Sequence, residues 1–103
     1  SKLDIEERKG IARQFKHKMD LRYEVEFELP EGFELAFVPN DAEFKGNDFG
    51  FKITYEKKEG KIVLKKNIYV DTLLIEEPQF EEWNSMIKKL KKAYKEVIII
   101  KRK

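Results

Sequence analysis

The chain has 103 residues, of which 41% are hydrophobic and 13% aromatic, with eight Phe, four Tyr and one Trp. That content builds one folded domain, burying roughly 65% of the unfolded surface, and excludes a disordered chain even though 41% of the residues are charged. Twenty-two basic residues offset twenty acidic ones, a net charge of +2, and cysteine is absent, so there is no whole-chain field to draw nucleic acid and no disulfide, thiolate nucleophile or zinc–thiolate site.

No apolar stretch approaches the ~20 residues that span a bilayer, so no membrane insertion is expected. The opening Ser1-Lys2-Leu3-Asp4 is charged from the start, unlike a secretory signal. It also lacks an initiating Met, the expectation for a piece cut from a longer protein. Residues 1–12 read as a linker remnant or a first edge strand of a single domain over residues 1–103.

In Leu21-Arg22-Tyr23-Glu24-Val25-Glu26-Phe27-Glu28-Leu29 apolar and charged residues alternate, predicting a half-buried strand. The same parity runs back through Met19, Phe15 and Ile11. Pro30-Glu31-Gly32 ends the strand, since proline cannot donate to a ladder and glycine accepts a positive φ. Phe33, Leu35 and Phe37 alternate on a second strand, which Pro39-Asn40-Asp41 stops. Residues 40–48 read as a loop or an irregular edge. Phe49, Phe51, Ile53 and Tyr55 mark a third strand, Glu59-Gly60 a turn with Gly60 left-handed, and Ile62, Leu64, Ile68 and Val70 the return. Lys66 breaks that parity, predicting a bulge or an edge position.

At Pro78 the period changes. Phe80, Trp83, Met86, Ile87, Leu90, Ala93 and Tyr94 recur at steps of three and four, an amphipathic helix with proline in its first turn. Glu76, Glu77, Glu81 and Glu82 lie toward its start, and Lys88, Lys89, Lys91, Lys92 and Lys95 toward its end, each set complementing the helix dipole. Trp83 is expected to be buried, and Phe80, Trp83 and Tyr94 to be core. Val97-Ile98-Ile99-Ile100 reads as a short final strand added to the sheet.

Catalytic constellations are not legible. The serines are Ser1 and Ser85, and the one histidine is His17. Ser85 falls on the polar side of the helix with no Gly-x-Ser-x-Gly turn. His17, in Lys16-His17-Lys18, is expected to be a partly buried strand residue. Glu24, Glu26 and Glu28 share a solvated strand face, helped by cross-strand lysines, where carboxylates keep ordinary acidity. Asn40-Asp41-Ala42-Glu43 and Asn47-Asp48 offer oxygens for a hard cation, but EF-hand spacing is absent and these residues dominate turns for conformational reasons. The helix lysines could form a patch for nucleic acid, yet no aromatic is interleaved among them to stack a base; they are expected to be a solvated face. No phosphate-binding glycine motif occurs.

The stretch Tyr23 to Phe33, with Leu29-Pro30-Glu31-Gly32-Phe33 at its centre, resembles part of a small C-terminal domain of unknown function. In certain bacterial exported proteins that domain follows a transglutaminase-like core. The resemblance runs from about residue 13 to residue 103, taking in the hairpin, the aromatic-anchored helix and the final Ile/Val run with lysines. Residues 1–12 have no counterpart in it. The core's Cys-His-Asp chemistry precedes the domain and transfers no residue to this chain.

The expectation is therefore an α+β, β-dominated domain: an antiparallel sheet or sandwich with one C-terminal amphipathic helix packed on it and a short final strand. No catalytic, cofactor or metal residues are expected. The resemblance implies a non-enzymatic accessory domain of an exported or periplasmic bacterial protein, partnered by the neighbouring catalytic domain. The alternatives are an independent carbohydrate- or protein-binding module and, after it, a nucleic-acid binder. The Leu29–Phe33 turn and residues 40–48 are the expected contact points.

Overall fold

Alternation with a period of two produces strands and the 3.6-residue period one helix. In the computed structural model, which describes residues 13–14 and 17–103, the elements are β1 (Arg13–Gln14), β2 (Met19–Glu28), β3 (Phe33–Phe37), β4 (Ala42–Lys45), β5 (Phe49–Lys58), β6 (Lys61–Val70), β7 (Leu74–Ile75), a 3-10 turn (Glu77–Gln79), α1 (Phe80–Tyr94) and β8 (Ile99–Arg102). The main sheet has the order β2-β6-β5-β4, and every pairing in it is antiparallel. Two short antiparallel ladders, β1-β7 and β3-β8, stand beside it. The β-dominated architecture with one packed helix and a final strand is the expected one.

Several details differ from the sequence reading. Of the loop and the irregular edge expected over residues 40–48, the edge forms, as the regular strand β4 on β5. The final strand is shifted to Ile99–Arg102 and pairs with β3, outside the main sheet. β1 is separate from β2 and lies on β7; Ile11, Phe15 and residues 1–12 lie outside the described residues. His17 is exposed in a bend ahead of β2, where the chain has left the ladder.

The ladders of β6 with β2 and with β5 each run ten pairs without a break, from Val70 to Lys61. Gly60, at φ 72°, supplies the one left-handed residue of the β5–β6 turn. Lys66 sits inside this register, opposite Tyr23 on one side and Ile53 on the other. It therefore marks neither a bulge nor an edge. Its long stem crosses the apolar face while Nζ lies 4.5 Å from the ring centroid of Tyr94 and 5.3 Å from that of Tyr23, so two aromatic rings hold the charge.

Gly50 has a different role. A Cβ there would stand 2.7 Å from Tyr69 Cζ and press on the Phe44 carbonyl. The missing side chain lets Tyr69 cross Gly50 and donate its hydroxyl to Gly46 O at 2.8 Å. This ties the β4–β5 turn to β6.

The core lies between α1 and one half of the sheet. Phe80, Trp83, Met86, Ile87 and Leu90 pack with Phe49, Phe51, Ile53, Val70 and Ile75. Trp83 is 1% exposed and meets Phe49 edge to face, centroids 5.1 Å apart at 84°. Gln79 fixes the helix start: its Oε1 accepts from Glu76 N–H at 3.3 Å and its Nε2 donates to Asp48 at 2.8 Å. Tyr94, expected in the core, is 53% exposed, because it lies a full turn beyond Leu90, past the deepest part of the contact.

Candidate interaction surface

One helix is about 10 Å across and strands are about 4.8 Å apart, so a single helix covers roughly two strands. Here α1 packs over β4 and β5. β2, at the far edge, meets this core through Met19, and among the described residues no layer covers the rest of it. Its apolar row is consequently exposed: Leu21 40%, Tyr23 52%, Val25 40% and Phe27 45%. The expected half-buried strand has the expected parity, but its apolar side faces outward. The cross-strand neighbours Ile68, Lys66 and Leu64 are half-buried and continue the surface inward. Lys66, between Tyr23 and Tyr94, is the one charge within it.

The other face of β2 carries Asp20, Arg22, Glu24, Glu26 and Glu28. The anticipated cross-strand lysines are there. Lys61 reaches Glu26 at 3.3 Å, and Lys65 lies 3.9 Å from Glu24 and 3.8 Å from Glu56. Asp20 accepts hydrogen bonds from Arg22 and from Asn67, the latter at 2.7 Å; these bonds, Arg22 first, hold its carboxyl below its ordinary 3.8. Arg22, Glu24, Lys52, Thr54, Lys65 and Asn67 line a shallow depression on this face.

A cleft of about 290 Å³ lies where β4, β5 and the end of α1 meet, lined by Phe37, Asp41, Tyr55, Lys89 and Glu96 among others. Asp41, offered above as a cation ligand, instead accepts the Tyr55 backbone N–H at 2.9 Å. Asp48 is likewise engaged, by Gln79. Lys89 donates to Glu43 O at 2.6 Å and pins β4 to the helix. Burial, with Glu96 and Asp41 adding to it, pushes the Tyr55 hydroxyl above its ordinary 10.0. No cluster of three or more His, Asp or Glu suited to a metal occurs among the described residues.

Ser85 opens onto a groove with Lys88, Lys89, Lys91, Lys92 and Lys95. His17 is placed elsewhere, at the entrance to β2, and is not among the residues lining that groove. No helix among the described residues is long and apolar enough to cross a membrane. The surface that sequence reasoning missed is the apolar row of β2. The signal was present as alternation, but alternation does not report how many strands one helix can cover.

No curated protein and no solved structure matches the chain. Residues 6–100 match the family model described as a domain of unknown function with solved-structure structure, DUF3858, and the chain belongs to that family.

Proposed function

We propose that this is a non-catalytic accessory domain of a longer exported bacterial protein, docking through β2 against a neighbouring transglutaminase-like catalytic domain. The observation that carries the reading is the uncovered row Leu21, Tyr23, Val25 and Phe27. Large apolar side chains aligned on one strand and left in water mark an interaction surface.

Magnitude favours a tethered neighbour over a free ligand. Fully burying such a side chain contributes about 1.5–3 kcal/mol, so covering the remaining half of four of them contributes on the order of 3–6 kcal/mol. Between separate molecules, with the cost of association taken off, that corresponds to roughly millimolar affinity or weaker. Within one chain, a linker supplies an effective concentration in that range, and the same contact holds. An interface between domains of one chain also buries only ~600–1,500 Å², an area a single strand face and its surroundings can provide.

A carbohydrate-binding module is the second reading, favoured by the exposed rings of Tyr23 and Tyr94. Against it, the Lys66 ammonium already lies over both rings. The test is to express the parent protein with and without residues 1–103. The proposal expects the core to lose stability when the domain is removed. A core with unchanged stability and activity would leave an independent binding module.

A further inference from the structure

Resting on the reading of β2 as the docking surface, we propose what docks there: an extended peptide segment, added antiparallel to the outer edge of β2 as a fifth strand, with apolar and basic residues in alternation.

The two edges of the main sheet differ. β4 has four residues, includes Lys45 and is packed by α1. It thus carries the short length, the lysine and the cover with which proteins blunt edges. β2 has ten residues, no proline, no lysine and an unbroken register on β6. In an antiparallel ladder about half of a strand's amide and carbonyl groups turn away from its partner. Among the described residues, no strand pairs with that side of β2. A long edge with no partner among the described residues is the template that strand-addition complexes use, with backbone bonds giving affinity and alternate side chains giving specificity.

The side chains select the occupant. On one face an added strand meets Leu21, Tyr23, Val25 and Phe27, and takes apolar residues. On the other it meets Asp20, Glu24, Glu26 and Glu28 against the single Arg22. Like charges directly opposite destabilise a sheet, and β6 already illustrates the favourable answer with Lys61 and Lys65. A second copy of β2 is a poor fit, since antiparallel pairing of this row with itself sets acid against acid at half or more of its charged positions.

The test uses the isolated chain and two peptides of about ten residues, the length of β2. One alternates Lys with Val, Phe and Tyr; the other has Glu in place of each Lys. NMR titration to millimolar peptide, followed by hydrogen exchange, reads the amides of residues 19–28. At peptide concentrations near a millimolar Kd the basic peptide is expected to slow the outward-facing amides about twofold, and the acidic one to leave them unchanged. The double variant Glu26→Lys, Glu28→Lys, with circular dichroism confirming its fold, is expected to reverse the preference. Equal binding of both peptides, or basic-peptide binding that protects no β2 amide, overturns the proposal. So does concentration-dependent protection without peptide, which would make a second copy the occupant. If β2 is protected in the parent protein while the isolated chain ignores the basic peptide, strand addition is wrong and the docking reading stands. If the peptide binds the edge but the parent shows no protection, strand addition stands and docking on the catalytic core is wrong.

Discussion

Replacing Trp83 with Ala removes the side chain on which α1 and the sheet converge. Trp83 is 1% exposed and lies edge-on to Phe49, which is itself 1% exposed. Phe and Trp truncations at fully buried sites cost about 3–5 kcal/mol. The upper part of that range is expected here, because the aromatic pair contributes about 0.5–1.5 kcal/mol beyond area. A domain of this size has a total stability on the order of 5–15 kcal/mol. Trp83→Ala should therefore bring the fold close to its limit, while Trp83→Phe, which keeps an aromatic against Phe49, should cost clearly less. With a urea slope of about 1–3 kcal/mol per molar, the alanine variant's midpoint is expected to fall by at least roughly 1 M. The readout is far-UV circular dichroism, since the variant has no tryptophan. The parent chain's own fluorescence should be blue-shifted and poorly quenched by iodide. A midpoint that hardly moves, or a red-shifted and freely quenched emission, would contradict the placement of Trp83 at the helix–sheet contact.

Gly50→Ala should cost about 1–3 kcal/mol by overpacking, read as a lower melting temperature; combined with Tyr69→Ala, the two losses should be less than additive, since Tyr69 occupies the space over Gly50. The raised Tyr55 hydroxyl stays protonated in the fold past 10.0, so its contribution is fully present below that pH and is lost as pH rises toward the folded value. Tyr55→Phe should flatten this alkaline loss in a stability–pH profile. Asp20 has the opposite sign: its lowered carboxyl contributes stability above 3.8 that disappears as pH falls through the folded value, and Asn67→Ala should move its NMR-detected titration upward. The lysine groove along α1 is expected to show no sequence-selective affinity for single- or double-stranded oligonucleotides near physiological salt; nanomolar selective binding would reverse that assignment.

The elements were legible wherever a single period ran without interruption. The alternation of residues 21–29 and 49–55, the three-and-four spacing from Phe80 to Leu90, and Gly60 in its turn all correspond to what the chain does. What was not legible is how elements share their neighbours. The parity of Leu21, Tyr23, Val25 and Phe27 correctly marks one face, but exposure depends on α1 lying mainly over β4 and β5. The same holds for Tyr94, which keeps the helical stripe yet lies beyond the sheet contact. Lys66 breaks the apolar parity by its charge, while the aliphatic stem that fits it to the ladder leaves no mark on that pattern. The pairing of β8 with β3 is a contact between distant segments, and no local pattern announces it. β7, with two residues, is too short to show any period. By residue type the carboxylates of residues 40–48 suit ligand and structural roles equally; in the fold Asp41 and Asp48 are bonded to Tyr55 and Gln79.

The most direct measurement is backbone hydrogen exchange of residues 19–28 in the isolated domain and in the intact parent protein. If β2 is the docking strand, exchange at its outward amides should slow when the neighbouring domain is attached, while the already protected amides of the β5–β6 ladder stay as they are. Identical exchange along β2 in both proteins would contradict the account, and the exposed apolar row would then have no neighbour within its own chain.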